Sequence, residues 1–436
     1  MKKILLSLVL AAVMALPLSA EAKTGALDPS FGDNGRVVSP SPREGYTKSQ
    51  IAQAPGGTVY VLEAGVLQAF SPNGRPDRAF GNEGTLPLSQ RLSSTAFASF
   101  AIDLEGRVVV ASSTSSTYGK PTSLILARLL PDGQLDPSFG SGGIVTTDLG
   151  LNPSEGPLGP TSEIPSGVRV AAQNVTVDQL GRIVVLTSHV VRFEQTKNGP
   201  IPITEGVAAR FGSGGALDPS YGSGGVAIGF APHAVQTSAF APDGSVFVAV
   251  PAAGGTALRH LTADGRLDLE FGSEGWRLLP PESEANFVAD GRGVVIWRSQ
   301  HRADPKQMTV RRLQADGRLD RGFGRNGVFR QNFGINELSA VVPDGTGGYF
   351  LAATWRRKQG ESIGAKKGLL LGRLTSRGTF DKGFGRVKTG FGQDAETHFR
   401  AMGVDRRGRP LLLGSTMSPG TGGEPVLALA RYRPPR

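Results

Sequence analysis

Seven times along this chain a variant of Leu-Asp-x-x-Phe-Gly recurs, centred on Asp28, Asp77, Asp136, Asp218, Asp268, Asp320 and Asp381. Successive copies lie roughly 50 to 80 residues apart, a period that marks a stack of similar supersecondary units, each too small to bury its apolar face alone. The repeat constrains architecture. It says nothing of chemistry.

Between motifs each unit runs through the same order of events. A short extended piece opened by glycine comes first, as in Gly35-Arg36-Val37-Val38, Gly143-Ile144-Val145 and Gly327-Val328-Phe329. A second extended piece leads into a tight turn holding Gly57, Gly106, Gly181, Gly244, Gly291, Gly345 or Gly408, the signal of a hairpin. The third piece is the most apolar: residues 59–62, 108–111, 183–186, 246–250, 294–297, 349–352 and 411–413. A strand with one wet face alternates polar and apolar residues, so continuous runs this short imply cover on both faces. The fourth piece, such as residues 124–129 or 309–313, carries more charge and reads as the outer edge of its sheet.

Small four-stranded antiparallel sheets covered on both faces by like neighbours are the blades of a β-propeller. An open stack would satisfy the same local physics but leave two bare end faces. Residues 427–432 read as a fourth strand, and the motif at Asp28 follows it in phase around the cut between the termini. The sequence therefore predicts an all-β fold, a seven-bladed β-propeller of four-stranded antiparallel blades, its ring closed by the N-terminal motif next to the C-terminal strand.

The N-terminal residues read differently. Lys2 and Lys3, the largely apolar run 4–16 and Ala20-Glu21-Ala22 have the layout of a signal peptide over residues 1–22, ahead of a single propeller domain over 23–436. A retained anchor is the alternative, but the run falls short of the about 20 residues that span a bilayer, so no membrane span is expected. The expected location is outside the cytoplasm, periplasmic or extracellular. The chain has no cysteine, which excludes disulfides, thiolate metal sites and a lipid-bearing N-terminal cysteine. A formal net charge of +10 favours anionic partners, and it equally suits a solvated surface that keeps the chain soluble.

Within Leu27-Asp28-Pro29-Ser30-Phe31-Gly32 and Leu135-Asp136-Pro137-Ser138-Phe139-Gly140, aspartate before proline is a helix-start signature and the glycine permits the positive φ that ends a single turn. The aromatic, Phe31, Phe80, Phe139, Tyr221, Phe271, Phe323 or Phe384, is offered once per unit and reads as a plug between adjacent blades. Seven aspartates lining a binding rim are the functional alternative. Eight residues before the motif aspartate stand Ala69, Arg128, Arg210, His260, Arg312 and Arg373, with Arg431 in the closing strand. That position reads either as an outward charge blunting an edge strand or as a partner for the motif carboxylate.

Together the Arg-Leu fourth strand, the Asp-Gly-like turn, Leu-Asp-x-x-Phe-Gly and the following Gly-x-Val resemble the delta-60 repeat family of bacterial proteins over nearly all of residues 23–436. Departures are Pro76 in place of Leu, Leu269-Glu270 in place of Pro-Ser, and Phe380 in a copy with no glycine three residues after Gly385. The resemblance implies an exported, repeat-built protein and supplies no reaction.

Length variation concentrates in residues 150–167, 193–205, 298–306 and 355–367, all in loops that a meander places on one face of the ring. Arg298, Arg302, Arg356, Arg357, Lys366 and Lys367 cluster there and suit a polyanion. The same loops also read as inserts tolerated because they cost little. The expected function is an exported, monomeric scaffold whose partner is an unidentified protein or an anionic envelope polymer, with nucleic acid not expected. The alternative is a carbohydrate-active lyase or hydrolase with its site in the central channel. No catalytic, cofactor or metal residue is assigned. His189, His233, His260, His301 and His398 are scattered, no zinc-protease, P-loop or serine-elbow motif occurs, and the pairs Asp132/Asp136, Asp264/Asp268 and Asp316/Asp320 lack the alternating oxygens of a calcium loop.

Overall fold

Each apolar run forms the second strand of a four-stranded antiparallel sheet, paired on both edges and covered on both faces. The computed structural model describes residues 25–40, 49–92, 96–114, 123–151, 170–197, 199–231, 235–279, 286–298, 307–332, 338–356, 367–392, 395–417 and 425–435. Residues 1–22 lie outside this set.

Blade one consists of Gln50–Gln53, Val59–Glu63, Val66–Phe70 and Thr85–Pro87. Blade two holds Ala96–Ile102, Val108–Ser113, Leu124–Leu129 and Ile144–Thr147, and blade three Val170–Val177, Ile183–Thr196, Gly199–Phe211 and Val226–Ala231. Blade four comprises Thr237–Phe240, Val246–Ala252, Gly255–Leu261 and Arg277–Leu278; blade five Asn286–Asp290, Gly293–Arg298, Gln307–Gln314 and Val328–Asn332. Blade six is built from Leu338–Pro343, Tyr349–Arg356, Lys367–Leu374 and Val387–Thr389. Blade seven joins Glu396–Val404, Pro410–Met417 and Pro425–Arg431 to Arg36–Pro40 from the other end of the described chain. Blades six and seven touch through a single parallel pairing, Lys367 at the start of blade six's third strand with Glu396, which merges them into one eight-stranded sheet by hydrogen bonding alone.

Ring closure follows the sequence expectation. Arg36–Pro40 pairs antiparallel with the last strand from Arg36 against Ala430 to Pro40 against Val426, and the Asp28 N–H donates to the Arg431 carbonyl at 2.9 Å. One expectation is corrected. The charged fourth piece of each unit is the third strand of its blade and not the outer edge: Leu124–Leu129 is buried at every position and is flanked by Val108–Ser113 and Ile144–Thr147. The outer strand is the glycine-opened piece that follows the motif. The motif folds the chain back on itself, as where the Arg128 N–H donates to the Gly143 carbonyl, so repeat and blade are out of step by one strand.

Seven apolar clusters, one per junction, form the core. Val109, Phe139, Val185 and Phe211 meet between blades two and three, and Phe31, Val59, Leu411 and Leu429 between blades seven and one. A motif aromatic sits in every cluster and none of the seven is more than 2% exposed, so the plug reading holds. The receiving surface is a glycine. Gly74 of blade one has φ +83°, and a Cβ there would lie 3.0 Å from the Phe31 ring. Beside that contact the Gly32 N–H donates to the Asn73 carbonyl at 2.7 Å, a clip that recurs from Gly81 to Asp132, Gly140 to Gly214, Gly222 to Asp264, Gly272 to Asp316 and Gly324 to Arg377. Nearer the axis a polar chain runs across the inner strands: Gln50 donates to Ser99 at 3.0 Å, Ser99 to Asn174 at 2.9 Å, and Asn174 to Ser238 at 3.4 Å.

Truncating one plug tests this packing. Phe139→Ala should cost about 3 to 5 kcal/mol and Phe139→Leu about 1 kcal/mol, read as shifts in urea midpoint. Equal small losses for both would show that the ring does not hold the junction.

Candidate functional site

The basic position before each motif is inward-facing. Arg128, Arg210, Arg312 and Arg431 are at most 8% exposed, which sets aside the edge-blunting reading. Each does three things at once. Its Nε–H donates to the motif carboxylate eight residues on, at 2.8, 2.8 and 2.7 Å for Asp136, Asp218 and Asp320, and in blade seven Arg431 reaches Asp28 at 2.9 Å. Its Nη1–H donates across the junction to a turn carbonyl of the next blade: Ser213, Ala263, Ser376 and Pro72 respectively. Its guanidinium carbon lies 4.4 to 4.8 Å from the centroid of the motif aromatic, Phe139, Tyr221, Phe323 or Phe31. A planar, permanently charged fork with several donors is the side chain that can do all three.

A second charged device backs the first. In blades two, three and seven the first hairpin turn reads Asp-x-x-Gly-Arg, with Arg107, Arg182 and Arg409 bonded to Asp103, Asp178 and Asp405 at 2.6 to 2.7 Å. Arg409 continues to Asp28 at 2.9 Å. Burial alone would raise the Asp28 and Asp136 carboxyls, but the Ser30 or Ser138 hydroxyl and N–H together with Arg431 or Arg128 outweigh it and hold both below the usual aspartate range. At Asp218 the Ser220 hydroxyl is the leading cause of the same lowering. These aspartates are structural members of a clamp, and that role accounts for Asp28, Asp136, Asp218 and Asp320 without a binding rim.

Three junctions dispense with the stacked arginine, and each places an aromatic on the second strand instead. In blade one Tyr60 stands opposite Ala69 and meets Phe80 edge-on at 5.5 Å; its hydroxyl is pushed up to about 12 by burial and the nearby Asp77 and Asp132 carboxylates. In blade six Phe350 meets Phe384 at 5.6 Å, and Arg373 divides itself between Asp344 at 2.8 Å and Asp381 at 2.6 Å. In blade four Phe247 meets Phe271 at 5.6 Å and His260 stacks on Phe247 at 4.1 Å. His260 bonds the motif carboxylate of Asp268 through Nδ1 at 2.8 Å, yet its Nε2 is buried with no hydrogen-bond partner.

Blade four also lacks the turn pair. Ala241 and Ser245 occupy the places of Asp103 and Arg107, as the shared turn bonds from Ala241 N–H to Ser245 carbonyl and from Gly244 N–H to Ala241 carbonyl show. With three long or charged groups replaced by shorter ones, a cavity of about 330 Å³ opens on the turn face. Phe247 and His260 form one side, the blade-four turn with Asp243 and Ser245 another, and Asp290 and Ala315 of blade five the far side. Its lining has two carboxylates and no lysine or arginine. Asp290 is already held by the Tyr349 hydroxyl at 2.6 Å and by Arg292 at 3.1 Å, whereas Asp243 uses one oxygen for the Ser245 N–H at 2.9 Å and leaves the other open. The signal for this site was legible as the single His in a column of arginines; the loss of the Asp-x-x-Gly-Arg turn pair was the signal passed over.

Of the six cations expected to bind a polyanion three fall within the described set, and of these Arg356 and Lys367 stand opposite one another in the middle strands of blade six. Arg302, Arg357 and Lys366 lie outside the described residues; Arg298 and Arg356 end the second strands of blades five and six; Lys367 begins the third strand of blade six and is bonded to Glu396 at 2.5 Å. Among the described residues no group of three or more metal-ligating side chains comes together, and no helix is long and apolar enough to cross a membrane.

A family model described as a domain of unknown function (DUF5122) beta-propeller matches residues 106–139. No curated protein matches the sequence. Similar solved structures include a gluconolactonase from Xanthomonas campestris (16% identity, 70% of this chain and 82% of that chain, TM-score 0.35). Others are the NanB sialidase of Streptococcus pneumoniae (9%, 88% and 83%, TM-score 0.40) and a protein of unknown function from Dyadobacter fermentans (11%, 92% and 100%, TM-score 0.38).

Breaking the clamp that closes the ring should be costly, because the buried Asp28 carboxylate keeps only Arg409 and Ser30 as partners and the Pro72 carbonyl loses its donor. Arg431→Met is expected to lose roughly 2 to 4 kcal/mol at pH 7. A carboxyl held below its unfolded value of about 4 contributes stability that is complete above that value and is lost as pH falls through the folded one. Urea midpoints should therefore be level from pH 7 to about 5, fall below about 4, and converge for the native protein and Arg431→Met at acid pH. A constant gap between them at every pH would remove Asp28 from the account.

Proposed function

We propose that this β-propeller is an exported binding scaffold, acting in the periplasm or outside the cell, whose irregular loop face engages a protein or an anionic envelope polymer. One observation carries the reading. Among the described residues the two middle strands of blade three outrun their neighbours: the inner strand pairs as far as Val170 against His189, the outer as far as Gly206 against Ala231, and the ribbon runs on from Val190 against Thr204 to Thr196 against Gly199. A two-stranded ribbon is marginal by itself and extends past the sheet that carries it. Such an arm on a rigid ring is suited to contact with a partner.

Arg298 and Arg356 end strands on that same face, which supports an anionic surface as one kind of partner. The resemblance of the repeat to the delta-60 family, with the leader-like residues 1–22, supports export. For a glycan-cleaving site in the channel the described inner strands offer less, since Gln50, Ser99, Asn174 and Ser238 are bonded to one another.

The test is to replace residues 191–203 with Asn-Gly, joining Val190 to Thr204 by a two-residue turn. The shortened protein should melt within about 4 °C of the native one, since the change lies outside the junctions, and should lose capture of its partner from envelope extract. In parallel, charge reversal of Arg298, Arg302, Arg356, Arg357, Lys366 and Lys367 should lower the salt at which the protein leaves an acidic-polysaccharide column. Unchanged capture and unchanged elution would end the proposal.

A further inference from the structure

At four junctions an arginine head group fills the space between a motif carboxylate and a carbonyl of the next blade: Arg431 with Pro72, Arg128 with Ser213, Arg210 with Ala263 and Arg312 with Ser376. Between blades four and five the equivalent carbonyl belongs to Ala315. The surrounding turn is built as in the other blades, with Gly272 N–H donating to the Asp316 carbonyl as Gly222 N–H does to that of Asp264. His260 replaces the arginine and is too short to cross. Among the described residues no hydrogen bond reaches the Ala315 carbonyl, and the His260 Nε2 is left buried and unpartnered. The gap is the cavity of about 330 Å³, at the low end of small-ligand pockets.

What is missing there defines what fits. The motif carboxylate of Asp268 is an acceptor, so Nδ1 of His260 donates to it and the ring is held there, beside the cleft. With the Ala315 carbonyl, the open Asp243 oxygen and the Asp290 carboxylate in its lining, the site is rich in acceptors and negative charge, within a chain whose formal net charge is +10. An anion is disfavoured. A compact ammonium would meet the charge but not the spread of acceptors, whereas a planar fork of N–H donors meets both.

We propose that the cleft between blades four and five is a guanidinium-binding site, in which a ligand supplies the head group that the other junctions draw from their own chain. The ligand's N–H groups face the Ala315 carbonyl and the Asp243 carboxylate, and its plane lies beside the Phe247–His260 stack. This site is on the turn face, opposite the blade-three arm, and stands or falls independently of the scaffold reading. The guanidinium comes either from a free small molecule or from an arginine of a protein partner.

Calorimetric titration of the full chain at low salt tests it. N-acetylarginine amide should bind at one saturable site, about tenfold or more tighter than N-acetyllysine amide. His260→Arg should occupy its own site: the melting temperature rises and binding is lost. Asp243→Asn, an exposed turn change that keeps the fold, should weaken binding about 3- to 10-fold and carries the test should His260→Arg not fold. An arginine-containing pentapeptide that binds tighter than the amide assigns the site to a protein side chain; the reverse order assigns it to a free small molecule. No saturable binding of the arginine amide, equal affinity for the lysine amide, or undiminished binding in a folded His260→Arg would overturn the proposal.

Discussion

A propeller blade cannot hide both of its faces by itself, and in this chain the contact that answers that constraint is the motif aromatic lodged against the next blade's turn glycine. Around it the stacked arginine does the electrostatic work. It is buried, and at Arg431 desolvation and the like charge of Arg409 outweigh the pull of Asp28; its donors nonetheless find the motif carboxylate and a carbonyl across the junction, with the ring face beneath. Because one guanidinium touches two blades, each clamp ties local chain geometry to the assembly of the ring. The Arg431 clamp also spans the two ends of the described chain, so closure uses the same parts as every other junction.

Where arginine is not stacked, the space is filled by an aromatic on the neighbouring strand. Tyr60, Phe247 and Phe350 stand where Val109, Val184 and Val295 stand elsewhere, and in each case the residue paired across from the aromatic is Ala69, His260 or Arg373, none of them stacked on the motif ring. These are two ways of packing the junction, arginine opposite an aliphatic or an aromatic opposite something that stays clear of the motif ring. Blade four takes the second route but also surrenders the charged turn pair, with Ala241 and Ser245 in its place, and so is left with a hole. Blade one makes the same turn substitutions with Ala54 and Thr58 and fills the space with the Tyr60 hydroxyl arm.

The motif spacing and the unbroken apolar runs were enough to read seven blades, the plugs and the closure, because all three follow from periodicity and from the fact that a covered strand need not alternate. The blade boundary was not legible: a strand order shifted by one has the same composition, and only the fold-back of the motif decides which sheet the glycine-opened piece joins. The arginine column was visible, while its inward direction was not, since edge-blunting and buried pairing both place a cation at that spacing. The loop cations were legible as a cluster in sequence, but Lys367 is taken up by Glu396, a partner brought by the next blade.

By itself the sequence determined the number of units, the residues that plug them and the docking of the N-terminal motif beside the last strand, since each of these is a pattern repeated along the chain. Tertiary structure alone decided that Ala315, fifty-five residues after His260, faces it across a junction, and that the missing guanidinium leaves a cavity and not a collapsed contact. A cavity is the difference between the volumes of groups far apart in sequence, held at a distance that the rest of the ring imposes, and no local pattern records that difference.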